Sequence, residues 1–123
     1  MREIKFRAWD KENKGWIIEP IFIGLNKTFI KRSSSIVEVP NCEIVQFTGF
    51  KDKNGKEIYE GDIVKDDKYN YEVGFIQGFF GIPAKNGRWH PLYEFQKVIS
   101  SLVETNIYLE VIGNIYENPE ILT

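Results

Sequence analysis

The chain is poor in the residues that build covalent or metal scaffolds. It has one cysteine, Cys42, and one histidine, His90. No intramolecular disulfide can form, and a structural zinc site, which takes about four Cys/His ligands, cannot be assembled. Also missing is any apolar run approaching the roughly 20 residues of a membrane-spanning helix. The start, Met1-Arg2-Glu3-Ile4-Lys5-Phe6-Arg7, alternates charged and apolar residues and lacks the apolar stretch of a signal peptide, so the expected location is the cytoplasm. Sixteen Lys and Arg against eighteen Asp and Glu leave a net charge of −2. That balance argues against a protein whose work is dominated by neutralising phosphates. There is no Gly-x-Ser-x-Gly elbow, no phosphate-binding loop ending in Gly-Lys-Ser/Thr and no Gly-x-Gly-x-x-Gly.

What the chain does have is the composition of a globular protein. Its 123 residues are 42% hydrophobic and 28% charged, which fits one domain spanning residues 1–123. A chain of this length buries roughly 65% of its unfolded surface, enough for a core without staples. Aromatics make up 15%, and frequent β-branched residues punctuated by Gly, Asn and Asp favour short strands.

From Glu3 to Trp9 the residues alternate. Ile4, Phe6 and Ala8 are expected on the core face and Lys5, Arg7 and Trp9 on the outer one. Asn13-Lys14-Gly15 reads as a turn, and Pro20 as a break between two apolar runs. Lys27 to Ser35, with its three consecutive serines, reads as a mobile loop or strand tip. Strands are expected at Ile36–Val39 and Glu43–Thr48. Asn54-Gly55 is the favoured central pair of a type I′ turn. The glycines at 74, 78 and 81 suggest bulges in an aromatic run, and Lys85-Asn86-Gly87 another turn. Leu92, Phe95, Val98 or Ile99, and Leu102 recur at helical spacing behind Pro91, which predicts a short helix over Pro91 to Leu102. A final strand is expected over Ile107 to Ile112. The fold class is therefore mainly β: a small, strongly curved antiparallel sheet or SH3-like barrel with one short helix.

Candidate sites follow from the same residues. Asp52, Asn54, Glu57, Glu60 and Asp62 cluster, but a calcium loop needs Gly at its sixth position, and counting back from Gly55 puts Phe50 at the first. The cluster reads as a solvated hairpin tip. Glu117 and Glu120 carry no sign of burial. Cys42 and His90 would make a nucleophilic pair only if they met in space; Cys42 reads instead as a small buried or half-buried hydrophobe. Lys5, Arg7 and Trp9 form a basic-aromatic strand face of the kind that stacks bases and tracks phosphates. The glycine-broken run Gly74 to Pro83 is rich enough in large apolar groups to leave some exposed, which marks an interface; Phe79, Phe80 and Trp89 are its candidates.

Three segments taken together carry a resemblance. They are Met1 to Asp10; Gln46-Phe47-Thr48-Gly49-Phe50 running through Asp52-Lys53-Asn54-Gly55-Lys56-Glu57-Ile58-Tyr59-Glu60-Gly61-Asp62-Ile63-Val64; and Val111-Ile112-Gly113-Asn114-Ile115-Tyr116-Glu117-Asn118-Pro119 through Leu122. In order and spacing they resemble the YopX family of small proteins encoded by phages and prophages. Where that family usually reads Tyr-Thr-Gly-Leu, this chain has Phe47-Thr48-Gly49-Phe50; residues 17 to 45 and 66 to 105 are not diagnostic. The resemblance implies an SH3-like, all-β-dominated barrel in a bacterial or phage cytoplasm, and it supplies no catalytic residue or cofactor. The expected function is a non-enzymatic module that binds a protein partner or itself, with no metal or cofactor and no membrane. The alternative is a small nucleic-acid-binding barrel.

Overall fold

Most strands in this chain are short, and several of the turns between them are held by a polar side chain tied to backbone. The structure, a computed structural model, describes residues 3–24, 27–32, 34–84, 87–99 and 102–122. They form two compact units, one of residues 5–46 and one of residues 1–4 with 47–123.

In the first unit, β1 (Phe6–Asp10) pairs antiparallel with β2 (Gly15–Trp16) and, further along the chain, with the first part of a later strand. The β1–β2 turn is held by Asp10. Its carboxylate accepts the N–H groups of Glu12 at 3.0 Å and Asn13 at 3.2 Å, and the Asn13 amide at 2.8 Å. A meander follows: β3 (Ile21–Gly24), β4 (Lys27–Arg32) and β5 (Ser35–Val39), all antiparallel. The stretch from Lys27 is thus largely strand and not a loop; Ser33 lies outside the described residues. The deciding residues are Thr28 and Ile30. Two apart and buried on one face of β4, they anchor a period that the flanking lysines and serines obscure.

The face assignment of β1 also differs from expectation. Ala8 and Trp9 are both buried, while Ile4 and Phe6 are exposed. Trp9 is covered because its ring meets Trp16 edge-on, with centroids 5.1 Å apart, so at this point β1 has cover on both faces.

The unit boundary falls within β6 (Cys42–Lys51), whose first part pairs with β1. In the second unit, β6 pairs with β7 (Glu57–Tyr59) across an irregularity between Phe47 and Lys51. β8 (Asp62–Lys65) and β9 (Asn70–Glu72) follow, then the sheet of β10 (Gly74–Ile76), β11 (Phe79–Pro83) and β12 (Trp89–Pro91). A single 3₁₀ turn, Leu92–Phe95, leads into β13 (Gln96–Ile99), which forms a hairpin with β14 (Leu102–Ile107). β15 (Glu110–Asn114) pairs with β8, and a 3₁₀ turn, Pro119–Leu122, ends the described chain. Ile58, Val73, Leu92, Ile107 and Leu109 are fully buried in this unit's core. Burying each such side chain stabilises the fold by about 1.5–3 kcal/mol.

The strands make several small, mainly antiparallel sheets, with one parallel pairing of β14 to β6 at Asn106 and Lys51, and among the described residues they do not close into a barrel. Registers shift within β6–β7, β13–β14 and β8–β15, irregularities that interrupt the ladders and bend the strands locally. Nor does the helix over Pro91 to Leu102 form. Pro91 (ψ 146°) and Gln96 (ψ 144°) are both extended, so one 3₁₀ turn is all that fits between them. Val98 and Ile99, which completed the helical spacing, are β-branched residues of a hairpin. The last strand begins at Glu110, because Tyr108 and Leu109 carry the link from β14.

The acidic hairpin tip is more than a solvated turn. Asp52 is only 1% exposed. One carboxylate oxygen accepts the N–H of Asn54 at 2.9 Å and of Lys56 at 2.8 Å; the other accepts the N–H of Val111 on β15 at 2.9 Å. Gly55 donates its N–H back to the Asp52 carbonyl at 3.0 Å. Gly55 has positive φ and Asn54 does not, so the type I′ expectation fails. Asp in first place and Gly in fourth are the preferences of a type I turn instead. Asp52→Ala leaves three N–H groups without their acceptor. It is expected to destabilise the protein by about 3 kcal/mol in urea unfolding, whereas a loss under about 0.5 kcal/mol would mean that water replaces the carboxylate freely.

Candidate functional site

The aromatic run singled out in the sequence becomes the β10–β11 hairpin. Ile76 pairs with Phe79 across a two-residue loop, Gln77-Gly78, and both loop residues have positive φ. This is the type I′ geometry that the twist of a hairpin favours. It sends Phe79 and Phe80 to opposite faces. Phe80, 7% exposed, turns into the core and packs on Phe75 with centroids 4.7 Å apart. Phe79, 49% exposed, turns outward and meets Tyr93, 51% exposed, edge-on at 6.1 Å. Phe75 and Ile76 are about half exposed on the same hairpin. A cleft of about 300 Å³ lies here, lined by Thr48, Gly49, Phe50, Phe79, Phe80 and Tyr93. The Thr48 hydroxyl is spent on the Ile58 carbonyl at 2.8 Å, so the cleft is mainly aromatic.

Trp89, the third interface candidate, has a different job. Its ring lies over the paired glycines of β10 and β11. A Cβ at Gly74 would sit 3.1 Å from the indole, and one at Gly81 only 2.4 Å from the His90 carbonyl oxygen and 2.8 Å from Trp89 Nε1. Glycine at 81 is therefore required by the close approach of β12. Trp89 covers the backbone that these residues leave bare.

Beside this hairpin, a second pocket of about 250 Å³ is lined by Asp66, Tyr71, Ile82, His90, Glu94 and Phe95, with Ala84. His90 Nδ1 lies 3.4 Å from a Glu94 carboxylate oxygen. Asp66 accepts the N–H groups of Lys68 at 2.8 Å and Tyr69 at 2.7 Å, and the Tyr71 hydroxyl at 3.0 Å. Burial alone would raise the Asp66 carboxyl, but these hydrogen bonds outweigh it and hold it below the ordinary range. Tyr71 is pushed up by burial, then by its bond to Asp66 and that group's charge. The sequence reading passed over Asp66, Tyr71 and Glu94; the Asp66-x-Lys68-Tyr69 turn pattern was their one legible signal.

The other sequence candidates are placed as follows. The Arg7 guanidinium stacks 4.0 Å over the Trp16 ring, and Trp9 is buried against the same ring, so the proposed base-stacking face is covered within its own unit. Lys5 is half-buried. Cys42 and His90 belong to different units. The Cys42 thiol is pushed up by burial and by the nearby charges of Asp10 and Glu12, away from a reactive thiolate. In the acidic cluster, Asp52 is used as described, and Asp62 accepts the Tyr59 N–H at 2.8 Å. Glu117 accepts the Asn114 amide at 3.0 Å. Among the described residues no three His, Cys, Asp or Glu side chains gather as a metal site would require. Lys85 and Asn86 lie outside the described residues; beside them, Ala84 donates its N–H to the Arg88 carbonyl at 2.8 Å.

Compared with known families, the chain matches the YopX protein family over residues 5–123. It belongs to the YopX family. The crystal structure of YopX from Bacillus subtilis is similar over the full length of both chains, with a TM-score of 0.64 and 25% identity. That of protein EF1440 from Enterococcus faecalis is also similar over both full lengths, with a TM-score of 0.55 and 26% identity. No curated protein matches. Among the described residues no helix is long and apolar enough to cross a membrane.

The Asp66 cage predicts a pH signature. A carboxyl held low in the folded state contributes stability above its ordinary value of 3.8, and that contribution is lost as pH falls through the lower folded value. The stability gap between the wild type and Asp66→Asn is thus expected to stay constant from about pH 7 to pH 5 and to close below about pH 4. A gap that persists unchanged at the lowest pH would contradict the cage.

Proposed function

We propose that this protein is a non-enzymatic protein-interaction module of phage or prophage type, and that a second copy of itself is its simplest partner. One observation carries the reading: Ile76, Phe79 and Tyr93 stand about half exposed on one face of the hairpin and the turn beside it, next to an aromatic cleft. Large aromatics at low entropic cost are what interface centres are made of. A disordered loop would spend binding energy on ordering itself, whereas a type I′ hairpin seated under Trp89 is already set. The alternative, nucleic-acid binding through Lys5, Arg7 and Trp9, ranks second, because it would have to pull Arg7 from the Trp16 ring.

The test is light scattering on a sizing column from about 10 µM to 1 mM, with the protein alone. The mass is expected to rise above the 14.4 kDa of one chain in a salt-insensitive way, as apolar contacts require. Phe79→Ser with Tyr93→Ser should return it to one chain while shifting unfolding stability by no more than about 1 kcal/mol, since both rings are half exposed. A wild type that stays at one chain's mass throughout would overturn self-association.

A further inference from the structure

A second surface lies in the unit of residues 5–46. A groove of about 290 Å³ runs between β5 and the β1–β2 hairpin. Trp16, Ile17, Ile30, Val37, Val39 and Pro40 make its apolar lining; Asp10, Glu12, Glu19 and Glu38 make its charged lining; among the described residues no Lys, Arg or His lines it. Two of its carboxylates, Asp10 and Glu12, are met by neutral donors. Asp10 is tied to the N–H groups and amide of its own turn, and those bonds keep it ionised. Glu12 accepts from the neutral amide of Asn41 at 2.8 Å. Lys11, the base between them in sequence, is paired to Glu43 at 2.8 Å.

Two strand edges border the groove. Among the described residues β5 pairs only with β4, and β2 only with β1. Most of β5 is solvent-exposed, Ile36 and Val37 included. An edge of this length, apolar and unblocked by proline within it, is a template for one more strand. An added strand would present every second side chain to one face. Here that face is an apolar floor with an anionic rim.

We infer that the groove binds an extended peptide segment of a partner protein, paired along β5, with apolar side chains over Trp16 and Val37 and Lys or Arg side chains against Glu12 and Glu38. The main chain would supply affinity and the rim would select sign, as in other strand-addition sites.

The experiment titrates the full ¹⁵N-labelled chain with two acetylated hexapeptides, one alternating valine and lysine, the other valine and glutamate, at about 20 mM salt. The valine–lysine peptide should shift the amides of Gly15 to Ile17 and Ile36 to Val39; the valine–glutamate peptide should not. Glu12→Gln with Glu38→Gln should weaken binding about fivefold, while Glu72→Gln, an exposed control on β9, should leave it unchanged. Raising salt to about 0.3 M should weaken it in parallel. Equal binding of the two peptides, wild-type affinity in the double variant, or no shift at millimolar peptide would overturn the assignment. Shifts at the same amides that grow with protein concentration alone, with no peptide, would also overturn it and give the groove to a second copy.

Discussion

One buried carboxylate organises the larger unit. Asp52 is a charge taken almost wholly out of water, which is costly unless the carboxylate is well hydrogen-bonded. Its oxygens are met by two N–H groups of its own turn and by one from β15, fifty-nine residues along the chain. A local turn preference is thereby coupled to a long-range register. The device recurs on the same strands. Asp62 accepts from Tyr59, and its register partner on β15, Asn114, accepts the N–H groups of Tyr116 and Glu117 at 3.0 and 2.8 Å. Sheets of three to six mostly short strands have little area with which to fix their own pairing. Buried polar groups with single correct partners do it instead.

This division of labour bears on function. The segments by which the chain is recognisable as a YopX-family member are largely those that carry these buried polar residues: Asp52 to Asp62, and Gly113 to Asn118. Their side chains are spent on backbone. Exposed apolar groups lie in the stretches between: Ile76 and Phe79 on the β10–β11 hairpin, and the groove between β5 and the first hairpin. Both hold exposed apolar groups on strands that are already paired, which on the proposed reading lessens the ordering a partner would have to drive.

Much of this was legible in the sequence, and the failures have physical causes. The β class, the turn at Asn13 to Gly15 and the strands either side of Pro40 follow from alternation and turn chemistry; exposure somewhere in the run Gly74 to Pro83 was legible too, but not that Phe79 faces out and Phe80 in. The type I′ turn was placed at Asn54-Gly55, the favoured pair, but Asp52 captured that loop through its carboxylate. The primed turn sits at Gln77-Gly78, where only the glycine advertised it. The helix after Pro91 failed because a three-to-four spacing also arises when a 3₁₀ turn runs into a hairpin. Trp9 is inward because of Trp16, a cross-strand partner that no single-strand pattern reports. The groove joins residues 10–19 to residues 30–40, and the Asp66 pocket joins residues 66–71 to residues 82–95. Such sites exist only once the strands have paired.

Native-state amide hydrogen exchange tests the central claim most directly. If Asp52 ties the turn to β15, the amides of Asn54, Lys56 and Val111 are as protected as those of the core residues Ile58 and Val73, because they open only when the unit unfolds. Fast exchange at those three amides, with the core still protected, would show the carboxylate to be solvated and the coupling between turn and strand to be absent.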